Sequence, residues 1–193
     1  MQLESLVKNI NQYITLTSDE MDYLLSKTQF ITLKKKKHLL KAGSVCRHEN
    51  FIIKGCFRKY YLDNDGVEHV ILFATEESWI NEPQSFWSGS SSLFSIEALE
   101  DSEIIQIQKT DLEELLIHIP KFERFFRIIG NQVFAAQQRR IKQNLSCSSE
   151  ERYADFKNDN PGLELRVSQK YVASYLGITP EFFSGLRKKD ARP

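Results

Sequence analysis

Two stretches of this chain hold residue types at spacings that bear chemistry. One is FWSGSSSLF, residues 86–94, where Gly89, Ser90, Ser91 and Ser92 lie between aromatic and apolar neighbours. Successive backbone N–H groups and serine hydroxyls in such a turn can cradle an anion, although the same composition also makes an ordinary solvated turn. Glu82, a few residues upstream, is an acid placed either to accept from a ligand hydroxyl or to stand on the surface. The other stretch is SQKYVASYLGITPEFFSGLRKK, residues 168–189, in which Ser168, Gln169, Lys170, Arg187, Lys188 and Lys189 supply donors and cations at both ends. That is phosphate-binding chemistry. The chain carries 26 basic and 26 acidic residues, so a polyanion must be met by a local patch of this kind and not by a global field.

The second stretch is the more specific. Tyr171, Val172 and Leu176 share a helical face, Ala173 is small enough for another helix to cross closely, Gly177 admits the positive φ of a tight turn, and Ile178 plugs the space beneath it. Thr179 caps a second helix that begins at Pro180, with Phe183 and Leu186 turned back toward the first. Small residue, four-residue step to glycine, apolar plug and capped second helix form the spacing of a helix-turn-helix. A generic helical hairpin shares only parts of it. The second helix would enter a major groove N-terminal end first, with Thr179, Glu181, Phe182, Ser184 and Gly185 nearest base edges. Ser168, Gln169, Lys170, Arg187, Lys188 and Lys189 would hold phosphates and set register.

Other chemistries find little support. Cys46, Cys56 and Cys147 are far apart and form no CxxC pair, so they read as packing or surface thiols and are too few for an iron–sulfur cluster. His38, His48, His69 and His118 show no HxH or HxxxH spacing, so no metal site and no cofactor are expected. No Ser-His-Asp or Cys-His constellation points to an enzyme. The run Lys34–Lys37 reads as a solvated strand edge guarded by lysines, and Trp79, Phe86 and Trp87 as core or loop anchors. No uninterrupted apolar run approaches the roughly 18 residues of a membrane span, and the start lacks the basic and apolar regions of a signal peptide. The expected location is the cytoplasm, with no membrane partner.

The elements that must position these groups follow from periodicity. Leu3, Leu6, Val7, Ile10 and Ile14 have helical spacing, and Thr17 with Glu20 forms a capping box for a second helix through Met21, Leu24 and Leu25. From residue 30 the pattern turns to short strands: FITL, HLLK, FIIKGCFRKYYL, VEHVILF, LFSIEALE and SEIIQIQ, with Gly66 in the clearest hairpin turn. Thr110 and Glu113 suggest another capping box, and Pro120 a boundary. A long helix should follow, since Phe122, Phe125, Phe126, Ile129, Val133, Ala136, Ile141 and Leu145 recur at three- and four-residue steps. That face is expected to pair with its copy across a two-fold axis rather than only with its own roll. The fold class is α+β: an antiparallel jelly roll with flanking helices, the long helix, and a C-terminal winged-helix-type helix-turn-helix. Its expected parts are 1–120, a sensor; 121–146, a dimerisation helix; and 147–193, a DNA-binding module.

LLKAGSVCRHENFIIKGCFRKYYLDNDGVEH, SSEERYADF and VSQKYVASYLGITPEFFSGLRKK together resemble the Crp/Fnr superfamily of bacterial transcription regulators, over nearly the whole chain. The resemblance implies a cyclic-nucleotide-binding-type sensor, a homodimer, a near-palindromic double-stranded operator, RNA polymerase as a candidate partner, and a small-molecule effector of unknown identity. In cyclic-nucleotide-binding relatives a Gly-Glu pair takes the ribose and a later arginine followed by Ser or Thr takes the phosphate. Here Glu82 matches the ribose acid, Asn81 replaces its glycine, and Ser92-Leu93 falls on the Arg-Ser position. The effector candidates are therefore Glu82, Ser90, Ser91 and Ser92, with the cation absent and tight cAMP binding not expected. Glu97 faces the roll interior on this reading, as a lone carboxylate that repels phosphate. Gly185 stands where relatives often place a guanine-reading arginine. The leading expectation is a homodimeric, sequence-specific transcription regulator with a degenerate effector site. Its rivals are a ligand sensor that acts through protein contacts without operator reading, which Gly185 favours, and a small β-roll enzyme.

Overall fold

The computed structural model of the protein describes residues 2–190. The chain opens with α1 (Gln2–Asn11) and α2 (Ser18–Ser26). The capping box before α2 is complete: Thr17 Oγ1 accepts the Glu20 N–H and the Glu20 carboxylate accepts the Thr17 N–H. Then come β1 (Gln29–Leu33), β2 (His38–Leu40), β3 (His48–Lys54), β4 (Phe57–Leu62), β5 (Glu68–Ala74), β6 (Trp79–Ile80), α3 (Pro83–Ser88), β7 (Ser95–Ala98) and β8 (Ser102–Gln108). The rest is helical: α4 (Lys109–His118), α5 (Lys121–Ser146), α6 (Ser149–Asp159), α7 (Leu163–Arg166), α8 (Gln169–Leu176) and α9 (Pro180–Asp190).

The strands form two four-stranded sheets, in the orders β1-β8-β3-β6 and β2-β7-β4-β5. The β1/β8, β3/β8, β3/β6 and β2/β7 pairs are antiparallel, as the jelly-roll reading requires. Phe51, Ile52, Phe57, Ile80, Phe86 and Ile104 lie in the core, so the aromatic and β-branched runs of the sequence face inward. FIIKGCFRKYYL is two strands rather than one. Gly55 breaks it, with φ 120° and a position where a β-carbon would stand 2.1 Å from Ser102 Oγ.

Two expectations are corrected here. The N-cap of α4 is Gln108 with no side-chain bond, so Thr110 already lies inside the helix and the Thr110–Glu113 capping box does not exist. The winged-helix expectation holds only in its helical part, because among the described residues no strand follows α5.

The chain divides into two compact units. One comprises residues 1–59 and 73–132; the other comprises residues 60–72 and 133–193. This division cuts α5 near its middle, and gives the tip of the β4–β5 hairpin to the second unit.

Candidate nucleic-acid interface and effector site

In the first unit FWSGSSSLF is not a loop throughout. It begins as the end of α3, whose N-cap is Glu82, whose first residue is Pro83, and whose C-cap is Gly89 in the left-handed region at φ 73°. Glu82 is buried, and its carboxylate accepts the Ser85 N–H at 2.7 Å and the Gln84 N–H at 3.4 Å. A cation does reach it, from β4: Lys59 Nζ lies 3.7 Å from Glu82 Oε1 and 4.9 Å from the centre of the Phe94 ring. Burial holds the Lys59 ammonium below its ordinary pKa, with the Glu82 charge opposing that shift.

Of the N–H groups expected to form an anion nest at Gly89 to Ser92, those of Gly89, Ser90 and Ser92 are bonded to acceptors of the protein itself. Gly89 N–H bonds to Ser85 O, and Ser90 N–H bonds to Ser88 Oγ. Ser91 pairs with Val45 in an isolated antiparallel bridge. Ser92 is buried, its N–H bonds to Ser44 O at 2.9 Å, and its hydroxyl donates to Phe94 O and accepts the Phe94 N–H. Ser92 therefore closes a turn instead of facing a ligand. Glu97 is corrected as well. It is no lone carboxylate, since its Oε2 lies 2.6 Å from both Nε and Nη2 of buried Arg58. Asn81 Nδ2 donates to Glu49 Oε2, and burial pushes the Glu49 carboxyl up to about 8.

In the second unit α6 starts at a capping box of Ser148 and Glu151, and Tyr153 and Phe156 on it are buried. The Tyr153 ring meets Phe183 edge-on at 5.2 Å between centres. Val172, Ala173 and Leu176 of α8 and Phe183 and Leu186 of α9 complete this core. Gly177 takes φ 68°, and the Ile178 N–H bonds to Ala173 O at 3.0 Å. Ile178 itself is half-buried. Thr179 Oγ1 accepts the Phe182 N–H at 3.2 Å, which is the expected cap.

The opposite side of α9 is open. Thr179, Glu181, Phe182, Gly185, Lys188 and Lys189 are exposed, and Ser184 and Arg187 are half-exposed. Ser168, Gln169 and Lys170 are exposed where α8 begins, and Ser168 spends no side-chain bond on capping. The structure thus brings the named nucleic-acid candidates together on one helical pair.

One group in this unit escaped the sequence reading. Arg140 of α5 donates to the carbonyls of Val70 and Ile71 at the hairpin tip and to Tyr175 O of α8, and its guanidinium lies 3.9 Å from the centre of the Tyr175 ring. Ser174 Oγ accepts the Val70 N–H at 2.9 Å and donates to Glu68 O at 2.7 Å. Nothing local in the sequence marks Arg140, since its partners are main-chain atoms of two distant segments.

The long-helix face divides. Phe122 and Phe125 are buried in the first unit's own core, where Phe125 meets Tyr13 and Trp79 edge-on. They are withdrawn from the dimerisation set, because a fully enclosed side chain cannot meet a partner. Phe126 and Ile129 are half-buried, and the Phe126 ring meets Trp79. Val133, Ala136, Ile141 and Leu145 are exposed. Phe134, which the sequence reading passed over, is 63 % exposed, and Leu145 is 83 % exposed.

A two-sheet roll, a long helix and a capped helix-turn-helix define a class of proteins before any comparison is made. Residues 30–118 match the cyclic nucleotide-binding domain family. No curated protein matches the sequence. Among solved structures, FixK2 from Bradyrhizobium japonicum is 18 % identical with a TM-score of 0.74, over 84 % of this chain and 83 % of that one. The c-di-GMP-responsive global regulator CLP of Xanthomonas campestris is 15 % identical with a TM-score of 0.72, over 90 % and 91 %. A protein described as a transcriptional regulator of the Crp/Fnr family, from Eubacterium rectale, is 16 % identical with a TM-score of 0.71, over 90 % and 83 %. The chain is of Crp/Fnr type in its fold, with a cyclic nucleotide-binding-type roll.

Proposed function

We propose that this chain is a homodimeric, sequence-specific DNA-binding transcription regulator whose roll does not take cAMP tightly. The observation that carries the reading is the open face of α9, where Glu181, Phe182 and Gly185 stand exposed beside Arg187, Lys188 and Lys189. A helix of this kind enters the major groove, its cations neutralise phosphates, and its N-terminal half meets base edges. The Crp/Fnr-type fold supports the same role.

Homodimerisation rests on the second half of α5, where Val133, Phe134, Ile141 and Leu145 leave an exposed apolar stripe that a second copy would cover. In the roll, Lys59 is already paired with Glu82, and Glu82 is spent on capping α3. A cyclic phosphate there would have to displace a buried carboxylate from its cation. RNA polymerase and a different small effector remain the partners proposed from family likeness.

Selection of bound fragments from a genomic library at physiological salt tests the reading: recovery of one recurrent, near-palindromic site is expected, and binding without sequence preference overturns it. Gly185 favours a second reading, a sensor that acts through protein contacts alone. A Phe182→Ala, Arg187→Ala double variant that keeps all regulation in the cell would establish that second reading instead.

A further inference from the structure

The exposed face of α9 holds one residue whose chemistry is out of keeping with a solvated helix. Phe182 is 49 % exposed, while its neighbour Phe183 is buried. Gly185 follows three residues later, and no neighbouring element comes within 4 Å of where its β-carbon would stand. Side chains on a helix lean toward its N-terminus, so a residue three positions on covers the surface of the one before it. With glycine at 185 the ring of Phe182 stays uncovered, and the helix backbone itself can approach a surface closely.

Beside this bare ring stands one acid, Glu181, and the cations lie further along. Arg187, Lys188 and Lys189 lie in the last turn of the same helix, and Lys170 is exposed on α8. A helix with an apolar ring near its start and cations in its last turn complements a surface that is anionic at its rim and apolar at its centre. The major groove has that character wherever thymine presents its C5-methyl group between two phosphate backbones, and phenylalanine is a side chain suited to that methyl.

Resting on the reading of α9 as a recognition helix, we propose that Phe182 reads thymine, by packing its ring on C5-methyl groups of the operator, with Gly185 clearing the space for it. Specificity then comes from an apolar contact at the point where an arginine–guanine pair would otherwise stand. Glu181, one residue earlier, is free to accept from a base amino group and sets the register of the contact.

The test uses the full-length protein and duplexes selected from a random library. Each enriched thymine is replaced by deoxyuridine, which removes only the methyl group, and affinities are compared at fixed salt. Burial of one methyl predicts a loss of about fourfold per contacted thymine, or about fifteenfold when both half-sites are changed. In Phe182→Ala the same replacement should cost less than about twofold, whereas Lys188→Ala should weaken thymine and deoxyuridine duplexes alike. Methyl-insensitive binding by the unaltered protein, an operator without enriched thymine, or undiminished methyl sensitivity in Phe182→Ala would each overturn the assignment while leaving operator binding intact. Failure to select any sequence would overturn both the assignment and the proposed function.

Discussion

Replacing Gly185 by arginine asks whether the outer face of α9 is as open as it looks. The residue lies inside a helix at ordinary negative φ, and nothing outside its own helix comes within 4 Å of its β-carbon position. No strain or collision therefore opposes the substitution. Glycine is worse than arginine in a helix interior by about 0.7 kcal/mol, so the variant should be more stable by that amount per protomer. For a chain of this size the melting temperature should rise by about 2 °C. The longer consequence concerns DNA. An arginine one turn after Phe182 can pair with guanine O6 and N7, a contact worth about 1–3 kcal/mol of discrimination, or about 5- to 150-fold between guanine and its competitors. The arginine also covers Phe182, so sensitivity to thymine methyl groups should fall as guanine preference appears. Differential scanning calorimetry and a second round of site selection read the two effects separately. A variant that melts several degrees lower, or that fails to fold, would show that position 185 packs against something and would refute the account of α9 as an unobstructed reading face.

Other outcomes follow from the buried polar groups and the exposed stripe. Because the folded Glu49 carboxyl titrates near 8 and an unperturbed one near 4.5, the folded state holds a proton that the unfolded chain lacks between those values. Stability should therefore fall as pH rises across that window, by roughly 1.4 kcal/mol per unit, and level off above it. Glu49→Gln should remove this one-proton slope in urea titrations from pH 5 to 9, and an unchanged slope would place the proton elsewhere. Calorimetry with cAMP should show no sub-micromolar binding, and such binding would disprove the argument from the Lys59–Glu82 pair. Phe134→Asp should shift the protein toward monomer in sedimentation equilibrium, whereas an unaltered mass would remove the α5 stripe as the interface. Arg140→Met leaves three main-chain carbonyls without their donor, and hydrogen bonds to a charged group are worth about 1.5–3 kcal/mol each. The amide of Val70 should then exchange faster by at least about tenfold, and unchanged protection would show that the guanidinium is incidental.

What was legible in the sequence depended on how local the cause was. Gly177, Thr179 and Pro180 each act on backbone within three residues, so the turn between α8 and α9 could be read with its cap and its positive φ. The helix α3 had local signals too, Pro83 at its first position and Gly89 at its end, but its cap is Glu82, an acid outside the usual set of capping residues. The serine-rich composition that followed drew the reading toward a loop. Periodicity gave the length of α5 and not its partners: it assigned Phe122 and Phe125 to the same face as Leu145, and only tertiary packing shows that the first two are buried, Phe125 against Tyr13 and Trp79. Lys59 opposite Glu82 and Arg58 opposite Glu97 are products of strand placement, which brings together residues that no spacing rule relates.

The arrangement around Arg140 also says which changes the molecule can absorb unnoticed. On the side of α5 and α8 the junction is written in two side chains, Arg140 and Ser174; on the side of β5 it is written entirely in main chain, at residues 68, 70 and 71. Any residue at 68 or 71 offers the same carbonyl, so the hairpin tip is free to drift in sequence while the attachment persists. Position 70 is held more tightly, since its side chain is buried and proline there would delete the N–H that Ser174 receives. A helix-turn-helix usually counted as a contiguous run of residues thus has a silent third strand of support, one whose conservation would be visible only in its partners.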